Sequence, residues 1–150
     1  MSVEQLYQEI ILDHYRVKRN AGLRDPYLVE VHHVNPSCGD ELTLRVAVSD
    51  GAVTDVSYDA QGCSISQAST SVMTDLVIGG SPEHAFELYE GFQTMIQGQG
   101  KVSLDEETYG DAVAFEGVAQ FPARVKCAML GWSAVRDALL RVQAGAKEES

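Results

Sequence analysis

The feature that most constrains this chain is ELTLRVAVSDGAVTDVSYDA, residues 41–60. Its first half alternates, with Leu42, Leu44, Val46 and Val48 on one face. A period of two belongs to a half-buried strand and puts no continuous stripe on a helix. Asp50-Gly51 follows, a pair that accepts the positive φ values of a tight hairpin turn. Val56, Tyr58 and Ala60 then resume one face, while Val53 is out of step and predicts a bulge or a frayed strand start. Upstream, LVEVHHV at 28–34 reads as a strand that enters the hairpin through NPSCGDEL. The core of the fold is therefore expected to be a three-stranded antiparallel meander.

The remaining periodic segments are helical. Val3, Leu6, Tyr7, Ile10, Ile11 and His14 share a face, and Ser2 with Gln5 makes a capping box, so a helix covers 3–16. RNAGLRDP breaks it. After Gly62-Cys63, Ile65, Ala68, Val72 and Leu76 form a stripe that Gly79-Gly80 ends. Ser81-Pro82 opens the next helix, with Phe86, Tyr89, Phe92 and Ile96 facing inward. GQGK stops it at 98–101, and residues 102–120 show no period that assigns them. A long last helix follows Phe121-Pro122, with Trp132, Val135, Leu139 and Val142 on its core face. The order α-β-β-β-α-α-α is an α+β pattern, a three-stranded antiparallel sheet with helices packed on one face. One domain is expected over residues 1–145, with 146–150 as a flexible tail; a chain of 150 residues buries an adequate core without staples.

The formal net charge of −11 supplies no field that would attract phosphates, so nucleic acid and anionic membrane are excluded as main partners. The one basic run, YRVKRN, reads as a solvated helix end. MSVEQLYQEI lacks the basic and apolar regions of a secretory signal, and no apolar run approaches the roughly 20 residues of a membrane span. A soluble, cytoplasmic protein is expected. Three cysteines in a reducing compartment do not read as a disulfide framework.

The meander says where two of those cysteines go. Cys38 lies in the turn after the first strand and Cys63 just beyond the third, so antiparallel connections put both at one end of the sheet. Cys127 lies in the first turns of the last helix, and Cys63 stands at a helix start, where the positive end of the helix dipole favours thiolate. If the last helix brings its N-terminus over the same sheet end, three thiols and Asp40 converge. Three sulfurs and one oxygen make a four-ligand set for zinc, and soft thiolates equally suit iron–sulfur chemistry. Each cysteine taken singly also fits a small buried hydrophobe, although a polar turn is a poor place to bury Cys38. Arg124 and Lys126, close before Cys127, are candidates to stabilise a thiolate or to meet a partner. His32 and His33 are adjacent on a strand and face opposite sides, and with His14 and His84 they read as structural.

The segments CGDEL at Cys38, GCSIS at Cys63 and VKCAML at Cys127 together resemble the three cysteine motifs of the IscU/NifU-like proteins of iron–sulfur cluster assembly. The similarity runs from the first helix to about Gln143. Scaffold-type members usually carry a histidine before the third cysteine, where Lys126 stands here, and the chain has an additional segment at about 98–120. Both features are similar to the SufU subgroup. The resemblance implies an IscU/SufU-like fold and zinc held by Cys38, Asp40, Cys63 and Cys127. It also implies a sulfurtransferase activity, in which Cys38 receives persulfide sulfur from a SufS-type cysteine desulfurase and a downstream iron–sulfur assembly scaffold is served. A histidine of the desulfurase would take the place of Cys38 on zinc during docking. The alternative that the same resemblance carries is a scaffold on which iron or a [2Fe–2S] cluster is held and passed on.

Overall fold

The hairpin forms as its sequence dictates. In the computed structural model, which describes residues 2–36 and 39–149 with side chains to residue 145, strand β2 (Asp40–Ser49) pairs antiparallel with β3 (Ala52–Gln61). Asp50 and Gly51 turn the chain with φ of 53° and 77°, the two positive values that the right-handed twist of the strands requires. Ala47 pairs with Asp55 and Val48 with Val53, so Thr54 is the extra residue of a bulge. That bulge is what puts Val53 out of step, and it turns Val53 fully into the core. Strand β1 (Val29–Asn35) pairs antiparallel on the other side of β2, from Val29–Val46 to Asn35–Asp40. The sheet order is β1-β2-β3.

All the helices that touch the sheet lie on the face made by Val31, Leu42, Leu44, Val46, Val56 and Tyr58, each buried. Helix α5 (Pro122–Glu149) crosses β1 and β2, and α2 (Ser64–Val77) lies beside it under β3. The free edge of β3 is strapped by the chain after α1 (Val3–Arg16): Gly22 N–H donates to the Tyr58 carbonyl at 2.7 Å, and Tyr58 N–H to that of Asn20 at 3.3 Å. Pairing that edge removes a site for unwanted strand addition.

Helix α2 is the middle of the molecule, and it is buried on more sides than its apolar stripe announces. Ser66, Ser69, Thr70, Ser71 and Thr74 are buried beside Ala68, Val72 and Met73. Their hydroxyls are satisfied from within: Thr70 donates to the Ser66 carbonyl and Thr74 to that of Ser71, both at 2.7 Å, while Ser69 reaches the Ala128 carbonyl of α5, also at 2.7 Å. Short side chains let the helices approach closely. A Cβ at Gly131 would run into the Thr70 side chain.

Helix α3 (Pro82–Ile96) starts as expected, with Ser81 capping the His84 N–H at 3.1 Å. Its Phe92 stacks on Trp132 with ring centroids 4.7 Å apart and 15° between planes. Residues 102–120, unassignable by period, contain a single turn of helix, α4 (Glu106–Tyr109), and then a 3₁₀ helix over Gly110–Gln120. Ala112, Phe115 and Val118 recur every third residue and are buried, and the Phe115 ring meets Phe92 edge-on at 6.0 Å. Helix α5 buries Trp132, Val135 and Leu139, leaves Val142 half-buried, and continues through Glu149, over most of the stretch set apart as a tail. No described helix is long and apolar enough to cross a membrane.

Candidate metal centre

Three of the four expected ligands meet at one end of the sheet. Asp40 is the first residue of β2, and it pairs with Asn35, the last residue of β1. Two residues beyond the last pair of the neighbouring ladder, Glu41–Gln61, the chain reaches Cys63, the N-cap of α2. Cys127 comes from the second turn of α5, whose N-terminal part lies over the same end. Ligand atoms of Asp40, Cys63 and Cys127 all lie within 4.8 Å of one another. Asp40 and Cys127 are 1% and 5% exposed, so the cluster has a buried floor, and Cys63 stands at its mouth. Cys38, the fourth expected ligand and the expected sulfur acceptor, lies outside the described residues.

The Asp40 carboxylate is aimed by the backbone. Its Oδ1 accepts the Cys63 N–H at 2.9 Å, which satisfies a donor exposed at the start of α2, and Oδ2 faces the Cys63 thiol at 3.4 Å. Gly62 makes this possible. Its φ is +146°, and a Cβ there would collide with the Asp40 carboxylate and lie 2.9 Å from the Asp40 Cβ. Gly62 marks only a break in the sequence pattern, and nothing in the spacing announces its role. Cys127 donates weakly to the Ala123 carbonyl one turn back, at 3.6 Å. The field of a helix end fades within its first turn, so Cys63 stands in that of α2 while Cys127, the sixth residue of α5, is past its strongest part.

The donor set suits zinc. Ligand atoms sharing one tetrahedral zinc, with bonds of about 2.3 Å to sulfur and 2.0 Å to oxygen, stand roughly 3.5 Å apart. The Cys63 sulfur and Asp40 Oδ2 are already at 3.4 Å.

Arg124 and Lys126 stand on different sides of α5. Arg124 lies 5.2 Å from the centroid of Phe121 and lines a cavity of about 770 Å³ with Tyr7, Ile11, Ser64 and Ile65. Lys126 lines a shallower groove with His33, Asn35 and Pro36 at the end of β1. Both are exposed. Among the described residues no histidine joins the cluster of Asp40, Cys63 and Cys127. His33 bonds Asp137 of α5 at 2.8 Å, and His32 points to the opposite face, 2.9 Å from Thr43. His14 is bonded to Ser71 and Asp111.

Residues 6–128 match the family described as "NifU-like N terminal domain". The zinc-dependent sulfurtransferase SufU of Bacillus subtilis is 38% identical over 145 residues, 96% of either chain. The iron-sulfur cluster assembly scaffold protein IscU of Streptococcus pyogenes is also 38% identical, over 93% of this chain and 86% of its own. Among solved structures, a putative iron-sulfur cluster assembly scaffold protein for the SUF system from Fervidobacterium islandicum superposes with a TM-score of 0.81 at 33% identity. It covers 92% of this chain and 99% of its own. With its antiparallel meander, its helical face and its cluster of Asp40, Cys63 and Cys127, the chain belongs to the NifU-like N-terminal domain family, the IscU- and SufU-like proteins of iron–sulfur cluster assembly.

Proposed function

We propose that this protein is a zinc-dependent sulfurtransferase of the cytoplasm. It takes persulfide sulfur from a SufS-type cysteine desulfurase onto Cys38 and yields it to a downstream iron–sulfur assembly scaffold. The observation that carries this reading is the convergence of Asp40, Cys63 and Cys127 within 4.8 Å on a buried floor. Two thiols and one carboxylate need one further donor to complete a tetrahedral site. Cys38 is two peptide links from Asp40, so covalent geometry alone keeps its Cα within about 7 Å of that of Asp40. Lys126, where scaffold-type members carry histidine, weighs in the same direction.

Zinc, when bound, keeps its thiol ligands deprotonated at neutral pH. Cys38 is the nucleophile of the transfer, as a thiolate. It attacks the outer sulfur of the desulfurase persulfide. A new S–S bond forms on Cys38 as the old one breaks, and the desulfurase cysteine leaves as a thiolate, so charge and oxidation state balance. Asp40 and Cys127 hold the floor of the site, and Cys63 lines its open side.

The test is the turnover of a cysteine desulfurase with and without the zinc-loaded, iron-free protein and its Cys38→Ala variant. Stimulation that disappears in the variant supports the reading. Absence of stimulation by folded, zinc-loaded protein overturns it and favours the second reading, a [2Fe–2S] scaffold. The equal identity to a relative named as a scaffold keeps that reading open. Its signature is a coloured species on iron reconstitution that passes to an apo-acceptor.

A further inference from the structure

We propose that Gly62 is the positioning residue of the metal centre, holding Asp40 to one donor oxygen and so fitting the site to a four-coordinate ion. The inference rests on the zinc reading above and adds to it a residue with no donor atom of its own. Two contacts on the two sides of one carboxylate carry it. Oδ1 is engaged by the Cys63 N–H at 2.9 Å, and the space that this pose requires is the space a side chain at position 62 would fill. Oδ2 is thereby the oxygen turned to the thiols, 3.4 Å from the Cys63 sulfur. A carboxylate pinned in this way is disposed to bind through one oxygen. Zinc with sulfur ligands takes four donors, whereas calcium takes six to eight oxygens and often both oxygens of a carboxylate. Gly62 and the Cys63 amide therefore act on the metal through Asp40, as supporting groups do in other metal sites.

Substitution at position 62 should act on the carboxylate before it acts on either thiol. In Gly62→Ala the new methyl occupies the Asp40 pose, and the backbone is strained as well, because φ is +146°. Zinc affinity, measured by competition with a chelating dye, is expected to fall about 10–100-fold, with Asp40→Ala in the same range. Cobalt(II) loaded in place of zinc gives a second readout. Its ligand-field bands should change in Gly62→Ala in the same direction as in Asp40→Ala, which a merely weakened fold would not produce.

The deciding comparison uses Asp40→Gly, which empties the space. Adding Gly62→Ala to Asp40→Gly should change zinc affinity by no more than about twofold, the scatter of independent sites. The pair also serves if Gly62→Ala alone does not fold, since the collision is gone and only backbone strain remains. A folded Gly62→Ala protein with the zinc affinity of the unaltered chain overturns the inference. So does a further tenfold loss on adding Gly62→Ala to Asp40→Gly, which would mean that Gly62 acts through something other than Asp40. Failure of the unaltered chain to bind zinc at all would instead overturn the zinc reading on which the inference stands.

Discussion

His14 Nε2 stands 2.8 Å from Asp111 Oδ2, joining the first helix to the 3₁₀ segment 97 residues further on. Its Nδ1 stands 2.8 Å from Ser71 Oγ of α2, which also accepts the Arg19 N–H at 3.0 Å. One imidazole, 3% exposed, thus ties three elements together. His14→Ala removes both bonds and leaves a void beside a buried hydroxyl. The expected loss is about 2–4 kcal/mol, combining the unpaired polar group with the cavity. Urea unfolding gives the magnitude, and faster amide exchange in 3–16 and 110–120 locates it.

The metal centre gives a contrast between donors. Cys63→Ala and Cys127→Ala should each lose zinc from a chain that still folds, whereas His32→Ala, on the opposite sheet face, should retain it fully. Chelation should also lower the melting temperature. Zinc at 100 times its dissociation constant adds about 2.7 kcal/mol to the folded state by mass action. Zinc content after gel filtration, together with melting curves with and without chelator, checks both expectations.

The sheet was legible because its signals are local. Alternation at 41–48 and the Asp50-Gly51 turn specify pairing over a few residues, and even the bulge at Thr54 was visible as a break in phase at Val53. The convergence of Cys63 and Asp40 follows from the same connectivity. The place of Cys127 was legible only as a condition, since it depends on how α5 crosses the sheet. Residues 110–120 escaped because their burial recurs at three residues, a period that neither the strand nor the α-helix template matches. The apolar stripe of α2 gave no sign that its Ser and Thr residues are buried too, with hydroxyls that find bonds inside the molecule. Gly62 could not be read at all, because its role is to leave room for a residue 22 positions earlier.

Asp137 on α5 bonds His33 of β1 at 2.8 Å and Arg141 at 3.0 Å. The hydrogen bond from His33, aided by Arg141, holds its carboxyl below the usual range. A carboxyl whose pKa is lower in the folded chain than in the unfolded one adds stability above its unfolded pKa. That contribution is lost as pH falls through the folded value. Asp137→Asn should therefore be less stable than the unaltered protein at neutral pH, and the two should converge in acid. Parallel denaturation curves from neutral pH down to about pH 3 show the difference closing. A gap that stayed constant with pH would mean that packing, and not the charge of Asp137, is what α5 and β1 share.

The segment 98–120 invites deletion, as an addition that could contact a partner. The packing argues that deletion would unfold the protein. Phe115 is fully buried and meets Phe92, which itself stacks on Trp132, so the segment supplies part of the only core around α3 among the described residues. Phe115→Ala alone is expected to cost about 3–5 kcal/mol, a large share of the stability of a domain this size. The single tryptophan reports directly, because loss of Phe115 loosens its neighbour Phe92 and should shift Trp132 emission to the red before global unfolding. Any role in partner contact is then better sought at exposed positions of the segment. Glu107→Lys reverses a charge there while leaving Ala112, Phe115 and Val118 in place. If Phe115→Ala proved nearly as stable as the unaltered chain, the segment would be an attached loop after all, and its deletion would become the informative experiment.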